Sequence, residues 1–172
     1  MTYEPGDVGL AHGSGFVDWA IRYAERRRYG SKSQEARWNH AFMIVDAFGA
    51  LVEAQGRGVV RSSMAGEYAH GDVVVVRPPY PSGGAARAVA TMEAMVGSHY
   101  GYLEIASEAL AFLTQTKLRF GVAGQHICSG AVSYACDQGG VPMGDDEEWN
   151  SPADVMHIAL AQHWTWVAGA AL

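Results

Sequence analysis

The sequence predicts an α+β fold in a single domain, and three observations support this prediction. Short apolar runs bounded by turn residues, the pattern of β-strands, cluster in the first half of the chain, whereas segments with helical spacing dominate the second half. A chain of 172 residues with 49% hydrophobic residues is long enough to bury one core, which suits one domain over residues 1–172. Since no internal repeat or low-complexity segment divides the chain, we expect strands and helices to share that core.

The first predicted element is an amphipathic helix over residues 14–28. Ser14 is available as its N-cap, and Gly30 lies just past its end. The polar residues 31–37 then predict an exposed loop. The apolar residues of the helix recur at the spacing of one helix face, and they are Phe16, Trp19, Ala20, Tyr23 and Ala24.

A β-hairpin and two further strands are predicted next. Apolar runs at residues 41–45 and 51–54 flank a turn through residues 46–49, which is the pattern of a hairpin. Residues 59–60 predict a short strand, and the β-branched run at residues 73–76 is typical of a buried strand. The prolines that follow end that strand, because proline cannot donate a ladder hydrogen bond.

Helices are predicted for most of the remaining chain. Helical spacing indicates helices over residues 84–96, 103–113 and 127–138, and glycines and a proline in residues 139–142 stop the third. The apolar segment 158–172 is too short to span a bilayer, so it is predicted to be a packing element of the core.

Charge and the N-terminus limit the possible classes of function. The formal net charge is -6, which excludes the basic surface of a nucleic-acid-binding protein, and the short run Arg26–Arg28 is expected to be a solvated helix end. The first residues lack the basic start and apolar stretch of a secretory signal. We therefore expect no nucleic-acid partner, no membrane span, and a protein that is cytoplasmic or is delivered without a signal peptide.

Cys128 is the candidate nucleophile. It lies in the first turn of the helix predicted over residues 127–138, where unpaired N–H groups and the helix dipole favour the thiolate. The small residues Ser129 and Gly130 leave the sulfur accessible, and backbone N–H groups of this turn, Ser129 included, are candidate oxyanion donors. Cys136 is expected to be buried eight residues further along, roughly 12 Å away at about 1.5 Å per residue, so both thiols should be free. A buried cysteine with no chemical role is the alternative for Cys128, and catalysis requires a base.

His40 is the candidate base, because it begins the predicted strand 41–45. A histidine satisfied in the core is the alternative. A hairpin whose paired residue numbers sum to 93, with a loop at residues 45–48, would place His40 directly opposite Glu53. A carboxylate at that position would orient the imidazole and stabilise its protonated form. A one-residue slip in the register would separate them.

Short blocks of chemically distinctive residues follow one another in a definite order along nearly the whole chain. In turn they correspond to a Gly-Asp turn, a histidine strand, a strand with a third polar residue, a tyrosine block, a nucleophile helix and a closing motif. The blocks are Pro5–Val8, His40–Val45, Leu51–Ala54, Gly97–Tyr102, Ile127–Gly130 and Ser151–Asp154. With these blocks in this order, the sequence resembles the NlpC-type papain-like cysteine hydrolases, in their circularly permuted YiiX/YebB-like branch.

The resemblance implies a permuted papain-like fold, in which an antiparallel sheet packs against helices that include the nucleophile helix. It implies a catalytic triad of Cys128, His40 and Glu53, with Tyr100 near the oxyanion or the substrate. The implied activity is thiol-dependent cleavage of amide or peptide bonds through an acyl-enzyme, with a peptide or a peptidoglycan fragment as substrate. No cofactor is implied.

Alternatives remain open at this point. The same triad would serve a lipid ester or amide hydrolase, or an acyltransferase, acting on an acyl-lipid substrate. A non-catalytic binding domain could also keep the fold. A zinc site built on His126, Cys128 and Cys136 is not predicted, because the paired ligands at short loop spacings that structural zinc requires do not occur.

Overall fold

The structure is a computed structural model, and it describes only part of the chain. The described residues are 2–12, 26, 28–30, 33–55, 58–100, 125–126, 128–145 and 150–169, with only the backbone described at residues 99–100 and 125–126. Most of the helix predicted over residues 14–28, and all of the one predicted over 103–113, lies outside these residues. No helix within the described residues is long and apolar enough to cross a membrane.

A six-stranded antiparallel sheet and helices form a mixed α+β fold, as the sequence predicts. The strands lie in the order β4-β3-β2-β1-β5-β8, and β6 and β7 form a separate parallel pair. The strands are β1 (Val8–Ala11), β2 (His40–Ile44), β3 (Ala50–Gln55), β4 (Gly58–Ser63), β5 (Val73–Arg77), β6 (His99–Tyr100), β7 (Gln125–His126) and β8 (Thr165–Ala168). The helices are α1 (Met64–Glu67), α2 (Gly84–Ala94), α3 (Cys128–Gln138) and α4 (Pro152–Ala161), and Glu35–Arg37 form one 3-10 turn.

Strand β2 is buried on both faces of the sheet. Ala41 and Met43 belong to the main core with α2, α3 and α4, whereas Phe42 and Ile44 belong to a smaller cluster on the opposite face. A strand covered on both faces reads as a continuous apolar run, which explains why the sequence shows no alternation there. The main core thus holds α3 against the strand that begins with His40.

Strand β1 was not predicted from the sequence, although it lies at the centre of the sheet beside β2. It contains Gly9, a residue that weakens a strand signal. The structure shows why glycine is needed: a Cβ atom at Gly9 would lie 2.0 Å from the ring of Phe42. The glycine therefore allows the Phe42 ring to lie across the neighbouring strand.

The register of the β2–β3 hairpin differs from the prediction by two residues. The sequence predicts His40 opposite Glu53, and this is wrong: Phe42 lies opposite Glu53. Because side chains alternate between the two faces, a slip of two residues leaves His40 and Glu53 on the same face, as diagonal neighbours. Long side chains reach across such a diagonal, so His40 and Glu53 are in contact although the predicted register is wrong.

The turn of the hairpin explains the shift. Val45 N–H donates to Ala50 O over 2.8 Å, so the four-residue loop is 46–49 rather than the 45–48 required by the predicted register. The Asp46 carboxylate accepts from the N–H groups of Phe48 and Ala50 at 2.8 and 2.9 Å, a local bond typical of aspartate in turns. Gly49 closes the loop with a φ of 86°, where glycine is favoured.

Helix α4 begins with a capping box formed by Ser151 and Asp154, the two ends of the block that resembles a closing motif. The Ser151 hydroxyl accepts from Asp154 N–H, and the Asp154 carboxylate accepts from Ser151 N–H. Asp154 also accepts from Tyr29 and forms an ion pair with Arg28 over 3.1 Å, which ties the segment before β2 to α4. Of the predicted packing segment 158–172, the first residues end α4 and four later ones form the edge strand β8.

Candidate active site

Cys128 lies in the first turn of α3, as the sequence predicts; it is the first residue of the helix and is 3% exposed. Its sulfur is hydrogen-bonded to two backbone N–H groups, those of Ser129 in its own helix and Ala41 in β2. The pairing between β2 and β3 ends at Phe42 and Glu53, so Ala41, the preceding residue of β2, has no partner residue in the described part of β3. The sulfur thus lies where the helix start and the start of the strand meet.

His40 joins the sulfur to the carboxylate of Glu53. Its Nε2 lies 2.7 Å from Oε2 of Glu53, and its ring is also hydrogen-bonded to the Cys128 sulfur. With Nε2 engaged by the carboxylate, Nδ1 is the ring nitrogen that faces the sulfur. The side chain keeps 17% of its surface exposed, so the ring has access to solvent or substrate.

The Glu53 carboxylate is fully buried and accepts several hydrogen bonds. On Oε1 it accepts from the Ser62 hydroxyl and, over 2.8 Å, from the Gln55 amide. On Oε2 it accepts from His40 and, over 2.6 Å, from the Tyr68 hydroxyl. A buried carboxylate is stable in its charged form only with such partners, so this set of donors favours ionised Glu53.

The pKa values of Glu53 and His40 move in opposite directions. Burial alone would raise the pKa of Glu53, but the hydrogen bond and charge of His40, followed by the hydroxyls of Ser62 and Tyr68, lower it to about 2. Burial alone would lower the pKa of His40, but the charge and hydrogen bond of Cys128, followed by those of Glu53, raise it to about 10. Near neutral pH the carboxylate is therefore charged and the imidazole is protonated.

The pKa of the Cys128 thiol is lowered below its ordinary value. Burial opposes this shift, but the His40 charge and hydrogen bond, with the N–H groups of Ala41 and Ser129, outweigh burial. A thiolate next to an imidazolium is the activated state of a cysteine nucleophile. The arrangement can therefore attack a carbonyl carbon without any further group to remove the thiol proton.

The structure brings together three of the five site residues predicted from the sequence and places a fourth beside them. Cys128, His40 and Glu53 form one hydrogen-bonded chain, and Ser129 contributes a backbone N–H to the sulfur. The backbone of Tyr100 pairs with β7, and its side chain lies outside what the structure describes.

Sequence reasoning missed three residues that bind Glu53, namely Gln55, Ser62 and Tyr68. Gln55 lies two residues after Glu53 on β3, and Ser62 of β4 lies opposite Leu51, which is two residues before Glu53. Gln55 and Ser62 therefore lie on the same face of the sheet as Glu53. The alternation of β3 and β4 would have indicated both residues once the register was known. Tyr68 directly follows α1, and no periodicity in the sequence connects it with Glu53.

Comparison with known proteins adds no family assignment. The sequence matches no protein-family model, and no curated protein matches it. The candidate site therefore depends on its own geometry, which joins three residues from separate stretches of the chain in one hydrogen-bonded chain.

Proposed function

We propose that this chain is a cysteine-dependent hydrolase that cleaves amide or peptide bonds through an acyl-enzyme on Cys128. The observation that supports the proposal is the continuous chain of hydrogen bonds from the sulfur of Cys128 through the His40 ring to the Glu53 carboxylate. The pKa shifts also support the proposal, since they favour the thiolate of Cys128, the imidazolium of His40 and the carboxylate of Glu53.

In the first half of the proposed reaction, the thiolate attacks the carbonyl carbon of the substrate and forms a tetrahedral intermediate. Backbone N–H groups at the start of α3 stabilise its oxyanion, and that of Ser129 is already directed at the sulfur. Protonated His40 then gives a proton to the leaving amine as the carbon–nitrogen bond breaks. The products are the free amine and a thioester on Cys128.

In the second half, water hydrolyses the thioester. His40, now neutral, removes a proton from the water as its oxygen attacks the acyl carbon, and the thiolate leaves as the carboxylic acid forms. Glu53 keeps the imidazole oriented in both halves and stabilises its protonated form, because its charge lies 2.7 Å from Nε2. The cycle ends with the same thiolate and imidazolium with which it began.

A circularly permuted papain-like fold of the NlpC type is part of the proposal. It is supported by the order of the blocks in the sequence and by the packing of α3, which begins with Cys128, against β2, which begins with His40. The peptide stem of peptidoglycan is the proposed substrate class, by analogy with that family.

A substrate screen with two cysteine variants tests this proposal. Peptidoglycan fragments and acylated lipids are incubated with the parent protein, Cys128→Ala and the matched control Cys136→Ala, and products are followed by mass spectrometry. We expect release of peptide fragments by the parent and by Cys136→Ala, and loss of activity in Cys128→Ala. Activity that survives in Cys128→Ala would remove the nucleophile, and cleavage of acylated lipids alone would replace the peptide substrate with a lipid acyl bond.

A further inference from the structure

The hydroxyl of Tyr68 donates a hydrogen bond to Glu53, and the centroid of its ring lies 6.5 Å from that of the His40 ring. Tyr68 follows α1, and its backbone N–H caps that short helix by donating to Met64 O over 3.0 Å. From this position its side chain reaches the same carboxylate oxygen that His40 binds: the Tyr68 hydroxyl lies 2.6 Å and His40 Nε2 lies 2.7 Å from Oε2 of Glu53. One oxygen is therefore held from two sides.

The ring of Tyr68 is itself fixed by packing. It stacks on the Phe42 ring with centroids 4.6 Å apart and an interplanar angle of 20°. It also lies nearly parallel to the His40 ring, with centroids 6.5 Å apart and an angle of 21°. Because Phe42 is fully buried in the sheet, the direction of the Tyr68 hydroxyl is set by the fold and does not depend on a substrate.

The environment that Tyr68 shares with Glu53 keeps its hydroxyl protonated, so that it can donate a hydrogen bond. Burial, followed by the negative charge and hydrogen bond of Glu53, raises the pKa of Tyr68 above its ordinary value, so its hydroxyl keeps its proton over the range in which proteins are folded. The hydrogen bonds from Tyr68 and Ser62 each help to keep Glu53 ionised. With a donor on each oxygen besides His40, the carboxylate cannot rotate away from the imidazole without leaving a buried donor unpaired.

We propose that Tyr68 is a positioning residue of the candidate active site, whose hydroxyl holds Oε2 of Glu53 in place so that the carboxylate stays charged and directed at His40. The role rests on the proposed function of Cys128. In this role Tyr68 acts through Glu53, whose carboxylate accepts its hydrogen bond. Ser62 has the matching role on the other oxygen of the carboxylate.

The variant Tyr68→Phe tests this role, with Tyr80→Phe as its control. Phenylalanine keeps the ring that packs on Phe42, and Tyr80 is a second buried tyrosine, whose hydroxyl binds Cys136 and Gly6 O instead of the site. We expect Tyr68→Phe to lower kcat about ten-fold, the worth of one hydrogen bond to a charged group, with KM unchanged. Tyr80→Phe should leave both constants unchanged.

The titration of Glu53 is a second measurement that needs no substrate. The Glu53 carboxyl resonance is followed against pH by NMR and is assigned with Glu53→Gln. Because the Tyr68 hydrogen bond lowers the pKa of Glu53, the titration should move to higher pH in Tyr68→Phe and stay in place in Tyr80→Phe. Fluorotyrosine at residue 68, a more acidic and stronger donor, should move it to lower pH, and this probe remains available if Tyr68→Phe does not fold.

Three results would overturn the positioning role. They are an unchanged kcat in folded Tyr68→Phe, a rise in KM at constant kcat, and a Glu53 titration that moves with neither probe. Failure of the proposed function is a separate result, in which Cys128→Ala keeps the activity of the parent. The Glu53 titration distinguishes the two, because it reports the Tyr68 contact whether or not Cys128 is a nucleophile.

Discussion

Cys128 and Cys136 lie on the same helix and are both buried free thiols, yet their surroundings favour opposite protonation states. Burial raises the pKa of Cys136 to about 12, and the hydrogen bond with the Tyr80 hydroxyl offsets only part of that rise. Cys128 experiences the same penalty, but the His40 charge and two backbone N–H groups reverse it. Burial is therefore common to the two thiols, and the partner decides in which direction the pKa of each thiol moves.

The partners differ in a simple chemical property. The imidazole of His40 is more basic than a thiolate in this setting and takes the proton, which leaves two opposite charges side by side. The Tyr80 phenol is a weaker acid than a thiol, and burial raises its pKa further, so it offers a hydrogen bond and no charge. Position adds to the difference, because N–H groups are free to bind the sulfur at the first turn of α3 and are engaged in the helix around Cys136.

Alkylation of the two thiols tests this difference most directly, and we expect a large difference in their rates. At about pH 6 roughly one Cys136 thiol in a million is ionised, given its pKa of about 12. The pKa of Cys128 lies below its ordinary value of 9.0, so its ionised fraction at the same pH is more than about a thousand-fold larger. Allowing for the lower intrinsic nucleophilicity of an acidic thiolate, Cys128 should still react with iodoacetamide much faster. Peptide mapping by mass spectrometry measures both rates, and similar slow labelling of the two would favour a non-catalytic binding domain.

Glu53→Gln should also have a large effect. The substitution keeps the shape of the side chain but removes the charge that supports protonated His40, so we expect kcat to fall by about four orders of magnitude, as in other triads. Because Glu53 helps to raise the pKa of His40 to about 10, the alkaline limb of the pH–rate profile should move to lower pH in the variant. An alkaline limb that stays in place would mean that Glu53 does not act on His40. Labelling of Cys136 serves as the control and should not change.

The stability of the protein in acid tests whether folding favours the ionised form of Glu53. The pKa of Glu53 falls from 4.5 to about 2 on folding, so ionised Glu53 stabilises the native state above pH 4.5, and this contribution is lost as the pH falls toward 2. The pKa difference corresponds to about 3 kcal/mol. Urea unfolding at several acid pH values should show a steeper loss of unfolding free energy in the parent than in Glu53→Gln. Equal slopes would show that Glu53 is not specifically stabilised as the anion.

The sequence was sufficient to predict the helix start at Cys128, the hairpin, the buried strand β5 and the α+β class. These elements have local signals, such as β-branched runs and glycines that end helices. The contact between His40 and Glu53 was also predicted, but through a register that is wrong by two residues. The prediction survived because two residues is the period of a strand, so the error kept both side chains on one face.

The remaining parts of the site could not be predicted because they depend on tertiary packing. Tyr68 reaches Glu53 only because its ring stacks on Phe42, and the Phe42 ring in turn requires the missing Cβ of Gly9. The Ala41 N–H binds the sulfur because α3 packs against the start of β2. Each of these contacts joins distant parts of the chain, and no short-range pattern encodes it.

The smallest expected effect comes from Cys136→Ala, and it contrasts with Cys128→Ala. Removing the buried sulfur of Cys136 leaves a small cavity and takes one partner from the Tyr80 hydroxyl, which keeps its bond to Gly6 O, so we expect a loss of about 1 to 2 kcal/mol in stability with unchanged kcat. Cys128→Ala should abolish activity, because it removes the sulfur that binds His40 and is the proposed nucleophile, while its unfolding stays cooperative. Urea unfolding and kinetics on both variants measure the two quantities. If Cys136→Ala lost activity while its unfolding remained cooperative, Cys136 would belong to the site, and the division of roles along α3 would be wrong.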